Sequence, residues 1–211
     1  MRKIDSSALQ AILFDVYGTL VEIGDKRAPF RQLLQIGARQ GRPPQQEDAS
    51  LLMARPVGFK EAAELLGIRL TQGELDHLEA DLRAETASIK PFADTVRTLQ
   101  ELKCRGFKVG LCSNLAKDYA APVMAALTVP LDARVWSFDA AAIKPNPAIY
   151  ELACRQLNCM PFEIMMVGDT IDADVEGPRA IGMQALLLDR KQRHGAANSI
   201  HSLAALLAEL C

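Results

Sequence analysis

The chain has 211 residues, 49% of them hydrophobic and 24% charged, enough apolar material for a sizeable core in one large domain or in a domain with a smaller companion. Twenty-four Lys and Arg against 26 Asp and Glu leave a formal charge of −2, which excludes the cationic excess that draws proteins to nucleic acid or anionic membranes and leaves a small molecule or a protein as partner. Five cysteines (Cys104, Cys112, Cys154, Cys159 and Cys211) are odd in number and make no Cys-x-x-Cys pair, so neither a disulfide framework nor a zinc site is expected, and a reducing cytoplasm fits.

The first apolar run, Ala11 to Phe14, is too short for a signal-peptide core or a membrane span, so no targeting segment is expected there. It reads as a short buried strand ending on Asp15, with Gly18-Thr19 turning the chain soon after. In an open α/β sheet that carboxyl edge is where ligands bind. From about Pro29 to Lys90 the apolar residues take helical spacing. Phe30, Leu33, Leu34, Gly37 and Ala38 share one face, and Gly41 to Gln46 separates them from a helix around Glu47 to Arg55. Ala62, Ala63, Leu65 and Leu66 follow Gly58, and Thr71 with Glu74 forms a capping box that opens a helix carrying Leu75, Leu78 and Leu82. Residues 23–90 therefore read as a small all-helical domain inserted after the first strand, between residues 1–22 and 91–211.

From Pro91 onward helix and strand alternate, which predicts an α/β fold with a parallel sheet flanked by helices. The expected order is helix Pro91 to Cys104, strand Phe107 to Cys112, helix Lys117 to Leu127, strand Val135 to Phe138 and helix Pro147 to Leu157. Strand Ile164 to Val167, helix Asp174 to Ile181, strand Gln184 to Leu188 and a helix Ser199 to Leu210 capped by Asn198 complete it.

Three polar clusters lie just past strand ends. Ser113-Asn114 offers a hydroxyl and an amide that can hold an anion or cap a helix. Lys144 stands in a loop stiffened by Pro145 and Pro147, where it is a fixed point charge. The run Gly168 to Gly177 holds four acids, and the crowding of Asp169 with Asp174 is most simply relieved by a cation with oxygen ligands such as Mg²⁺, while Asp172 and Glu176 read as turn or helix-cap acids.

Asp15, Ser113-Asn114, Lys144 and Asp169 with Asp174 follow strands in that order, and the combination resembles the haloacid dehalogenase superfamily of aspartate-nucleophile hydrolases. The resemblance spans nearly the whole chain. It implies a Rossmann-like core with a helical cap after the first motif, Asp15 as nucleophile, Ser113, Asn114 and Lys144 holding the substrate's anionic group, and Lys144 also stabilising charge. It further implies that Mg²⁺ is held by Asp15, Asp169, Asp174 and the backbone carbonyl of Tyr17.

Tyr17 departs from the family's phosphatases, which carry a second Asp there as general acid and base. A phenol with a reference pKa of about 10 is a poor base at neutral pH. Asp-x-Tyr-Gly-Thr is similar to the 2-haloacid dehalogenase branch, in which halide leaves without a proton and a cap arginine meets it; Arg31, Arg39 and Arg42 are candidates, and Tyr150 matches both branches. That branch has neutral residues where this chain has Gly168-Asp169. Three functions follow: a Mg²⁺-dependent phosphatase of a small phosphorylated metabolite with an atypical, slow centre; a cofactor-free haloacid dehalogenase; and a metal-binding protein with impaired turnover.

Overall fold

The computed structural model describes residues 8–192 and 199–210. Strand β1 (Ala11–Phe14) is wholly buried. A turn leads to β2 (Val21–Ile23), then to helices α1 (Pro29–Arg39), α2 (Asp48–Met53), α3 (Phe59–Leu65) and α4 (Gln72–Ala87), and to β3 (Ile89–Pro91), which pairs antiparallel with β2. There follow α5 (Thr95–Cys104), β4 (Lys108–Ser113), α6 (Ala120–Ala126), β5 (Ala133–Trp136), α7 (Ser137–Ala140) and α8 (Pro147–Leu157). The chain closes with β6 (Ile164–Gly168), α9 (Gly177–Ala180), β7 (Gln184–Leu188), β8 (Ser199–Ile200) and α10 (Leu203–Glu209).

The main sheet is parallel throughout, in the order β5-β4-β1-β6-β7-β8. Strand β1 sits between β4 and β6, so the connections run outward in one direction to β5 and then return to the other side of β1. That reversal is the switch point at which such sheets open a crevice beyond their carboxyl ends. Side chains alternate across the strands and split the core into two layers. Ile12, Phe14, Val109, Leu111, Met165 and Val167 pack with α5 and α10 on one face. Leu13, Cys112, Ile164 and Met166 pack with α8 on the other.

The four helices of the insert have an apolar cluster of their own, built on Leu33, Ile36, Leu52, Phe59, Ala62 and Leu78. The capping box forms as its spacing predicts: Thr71 Oγ1 accepts from Glu74 N, and Glu74 Oε2 accepts from Thr71 N. The expected all-helical composition of residues 23–90 needs correcting, because Ile23 and Ile89-Lys90 belong to the β2–β3 ribbon. A two-residue apolar alternation gives too little signal to be seen in sequence.

Other boundaries also move. Pro91 closes β3 and the helix begins at Thr95. The strand expected over Val135 to Phe138 ends at Trp136, where Ser137 opens a helical turn. The segment from Lys117 begins as a 3₁₀ turn before α6. Of the helically spaced Ala62, Ala63, Leu65 and Leu66, only Leu65 is exposed, at 41%. The final helix starts at Leu203, with Ser202 Oγ accepting from Ala205 N, while Ser199 and Ile200 pair with β7; Asn198 lies outside the described residues. No helix among the described residues is long and apolar enough to cross a membrane.

Candidate active site

The register of the central strands explains how distant residues converge. Phe14 lies level with Leu111 on β4 and with Val167 on β6, so Asp15, Ser113 and Asp169 emerge together at one sheet edge. The Asp15 amide still donates to Val167 O at 2.9 Å, which fixes the carboxylate at the mouth of the switch point. Ser113, expected just beyond its strand, is the strand's last residue, and its hydroxyl donates to Asp15 Oδ1 at 3.0 Å.

Lys144 is 4% exposed and reaches the same place from the loop before α8. Its Nζ donates to Asp15 Oδ1 at 2.8 Å and to Asp174 Oδ1 at 2.6 Å. Burial alone would lower the pKa of this ammonium, but Asp15 and Asp174 outweigh it and hold the group charged. Asn114 takes a different position from the expected anion ligand. Its Oδ1 accepts from Lys144 N at 2.7 Å and its Nδ2 donates to Lys144 O at 3.0 Å, so the amide clasps the backbone that presents the lysine.

Asp169 follows β6 directly, and Asp174 is carried back toward the edge by a π-helical turn over Ile171–Glu176. Thr170 N donates to Asp174 Oδ2 at 3.0 Å, and Asp174 N donates to Thr170 O. Tyr150, fully buried on α8, props this turn from behind by donating its hydroxyl to Ala173 O at 2.6 Å. Two glycines make room for the acids. A Cβ on Gly168 would meet the Asp174 carboxylate at 2.3 Å, and one on Gly18, whose φ is +85°, would meet Asp169 Oδ2 at 2.3 Å.

Asp15, Asp169 and Asp174 each offer a carboxylate oxygen within 4.8 Å of the others. Burial, opposed by Lys144 and reinforced by Asp15, pushes Asp174 up to about 6, and burial with Asp15 also raises Asp169. Lys144 has one ammonium to share between two carboxylates, so it is held charged by both while Asp174 is relieved only in part. Cys112, buried beneath the site, has its thiol pushed up to about 12 by burial and is inert as a nucleophile.

Tyr17 is half-buried, packed edge-to-face on Tyr119 at 5.9 Å, with its hydroxyl 3.4 Å from Tyr119 O. Burial first, then Glu85 and Asp15, drive its pKa well above the ordinary phenol value. Sequence reading missed Tyr119 and Glu85, because nothing in their local pattern separates them from surface residues. Glu85 on α4 is 3% exposed; it accepts from the Tyr119 hydroxyl at 2.6 Å and from the amides of Arg27 and Ala28, joining the insert to the sheet side. Two cavities meet at Tyr17: one of about 420 Å³ beside Gly18 and Asp169, the other of about 400 Å³ between the insert and Asn114-Leu115. Of the three arginines considered from sequence, Arg31 lines the second cavity. Arg42 is bound bidentately to Asp48, and Arg39 lies 3.9 Å from Glu74.

A family model described as haloacid dehalogenase-like hydrolase matches residues 9–182, which takes in every one of these side chains. The chain belongs to that family. Among its relatives is a glyceraldehyde 3-phosphate phosphatase of Methanothermobacter thermautotrophicus, 28% identical over 194 residues that make up 86% of each chain. An (S)-2-haloacid dehalogenase 1 of a Pseudomonas species is 27% identical over 94% of this chain and 93% of its own. A crystal structure of a HAD phosphatase from Thermococcus onnurineus matches with a TM-score of 0.67 at 25% identity, covering 96% of this chain and 98% of that one. This haloacid dehalogenase-like hydrolase thus has relatives named for both chemistries that its Tyr17 leaves open.

Proposed function

We propose that this hydrolase is a Mg²⁺-dependent phosphomonoesterase for a small phosphorylated metabolite, with Asp15 as nucleophile. The observation that carries the reading is the charge of the sheet edge. Three carboxylates converge within 4.8 Å and a single ammonium is bonded to two of them, which leaves a surplus of two negative charges when all are ionised. An all-oxygen donor set with that surplus suits a hard divalent cation. Asp15, Asp169, Asp174 and the Tyr17 carbonyl would hold it, and the clearance that Gly168 and Gly18 leave for two of the acids fits that use. When bound, Mg²⁺ offsets the repulsion between a carboxylate nucleophile and a phosphate.

The remaining steps belong to the chain's own residues. Ser113 and Lys144 both donate to Asp15 Oδ1, which leaves Oδ2 as the attacking oxygen. Oδ2 attacks phosphorus, the ester bond breaks and an alkoxide departs; water then hydrolyses the aspartyl phosphate. Lys144, buried and kept charged, stabilises the charge that gathers as nucleophile and phosphate meet. Tyr17 is no base at neutral pH, so protons pass through water, and the acid–base contribution of roughly 10²–10⁴ in rate is lacking. Turnover is therefore slow.

A haloacid dehalogenase is the second reading, favoured by Tyr17 and by Arg31 at the cavity wall. There Oδ2 would attack carbon and halide would leave without a proton. The paired test is phosphate release from an aryl phosphate with and without Mg²⁺ beside halide release from 2-chloropropionate. Mg²⁺-dependent phosphate release that vanishes in Asp15→Asn is the expected result. Metal-independent halide release without phosphate release would transfer the site to the second reading, and Mg²⁺ binding with neither activity would assign it to binding alone.

A further inference from the structure

The cavity between the insert and the sheet edge says what the departing half of the substrate is made of. Its wall consists chiefly of Phe30, Leu34, Leu52, Met53 and Leu115, closed by the rings of Tyr17 and Tyr119. The polar side chains that reach it are already committed to the protein. Glu85 is bonded to Tyr119 and to two backbone amides, Asn114 to the backbone of Lys144, the Tyr119 hydroxyl to Glu85, and the Tyr17 hydroxyl to Tyr119 O. The exposed Arg31 is the exception. Tyr17, two residues after Asp15, and Asn114, next after Ser113, line this cavity, which sets it beside the nucleophile on the side of the insert.

Resting on the phosphomonoesterase reading, we infer that the preferred substrates are phosphate monoesters of compact apolar alcohols, alkyl or aryl, and that polyol phosphates are discriminated against. A hydroxyl carried into this wall gives up its water and finds few free partners, whereas a methylene or ring gains burial. The wall thus rejects a sugar-like leaving group by leaving it unsatisfied rather than by excluding its volume.

The matched pair is n-propyl phosphate against glycerol 3-phosphate, which differ by two hydroxyls. The expected kcat/KM is at least about tenfold higher for propyl phosphate, although propanol is the poorer leaving group. In Leu34→Gln, which places an amide in the wall, that ratio falls toward one. An equal rate for the two substrates, or a faster one for glycerol 3-phosphate, overturns the inference whatever the variant does. If neither ester is hydrolysed, the aryl phosphate assay judges the phosphomonoesterase reading separately, and calorimetric titration of the Asp15→Asn protein with the same two ligands judges the cavity. Tighter binding of propyl phosphate supports the inference; equal, weaker or absent binding overturns it.

Discussion

The sheet edge that carries Asp15, Lys144, Asp169 and Asp174 and the helical insert opposite it both bury carboxylates, and they do so with opposite results. In the insert, the buried carboxylates Asp48 and Asp81 each meet an arginine and a further donor. Asp48 receives Arg42 through two bonds of 2.8 and 2.6 Å and an amide bond from Gln45, and Asp81 receives Gln32 at 2.7 Å and Arg27 at 2.9 Å. These hydrogen bonds hold both carboxyls below their ordinary range. At the edge, acids outnumber the single ammonium, and Asp169 and Asp174 are pushed up by burial. Carboxylates paired to completion hold a fold together, whereas a surplus left at the mouth of a crevice is a place for a cation and an anionic substrate. On the proposed reading, the chemistry belongs to the edge and the choice of substrate to the cavity between edge and insert.

The largest effect is expected from Lys144→Met, which leaves Asp15 and Asp174 buried without their shared ammonium. Removing one partner of a buried ion pair costs about 3–5 kcal/mol, read here as a lower urea midpoint together with loss of turnover. Mg²⁺ restores part of that stability if the edge takes a cation, and a midpoint unchanged from wild type would mean that the lysine does not bridge the acids. Tyr17→Asp comes next, since it supplies an acid and base at position 17 while it also removes one of the rings that close the cavity. Phosphatase kcat rises by at least about tenfold; no rise in kcat would mean that position 17 does not reach the reacting oxygen.

The smallest effect is a contrast in pH dependence, measured as urea midpoints in chelator. Asp174 titrates at about 6 in the folded chain, against about 3.9 for a free carboxyl. Between those values the folded state holds the extra proton, so stability falls as pH rises through the window, and Asp174→Asn flattens that fall. Asp48 has the opposite sign. Its folded pKa is depressed, so its stabilisation is complete above about pH 4 and is lost as pH drops further, and Asp48→Asn removes that acid loss. Variants shifting the midpoint with the same sign in both windows would erase the distinction between edge and insert.

Much of the frame could be read along the chain. Four apolar residues before Asp15, four and a glycine before Asp169, and helical spacing from Pro29 onward are local patterns, and each becomes the element its period implies. The β2–β3 ribbon escaped because 65 residues lie between Ile23 and Ile89 and each strand is only three residues long, so neither carries a periodic signal. Asp174 was visible as an acid, but the π-helical turn that aims it was not; the expected helix starting at Asp174 begins its turn earlier, at Ile171. Asn114 shows the limit most clearly. Its type suits an anion ligand, and only the approach of Lys144, 30 residues on, engages its amide instead.

By itself the sequence determined that a carboxylate follows a buried strand, that further polar groups follow later strands in a set order, that helices intervene, and that a phenol replaces the second acid at position 17. These are properties of single segments, set by local period and residue type. Tertiary structure alone decided that Ser113 and Lys144 share one oxygen of Asp15, that Arg31 rather than Arg39 or Arg42 faces the cavity, and that the other polar side chains of the cavity wall are already bonded. Each of those facts depends on strand order and on contacts between residues far apart in the chain, to which local periodicity is blind.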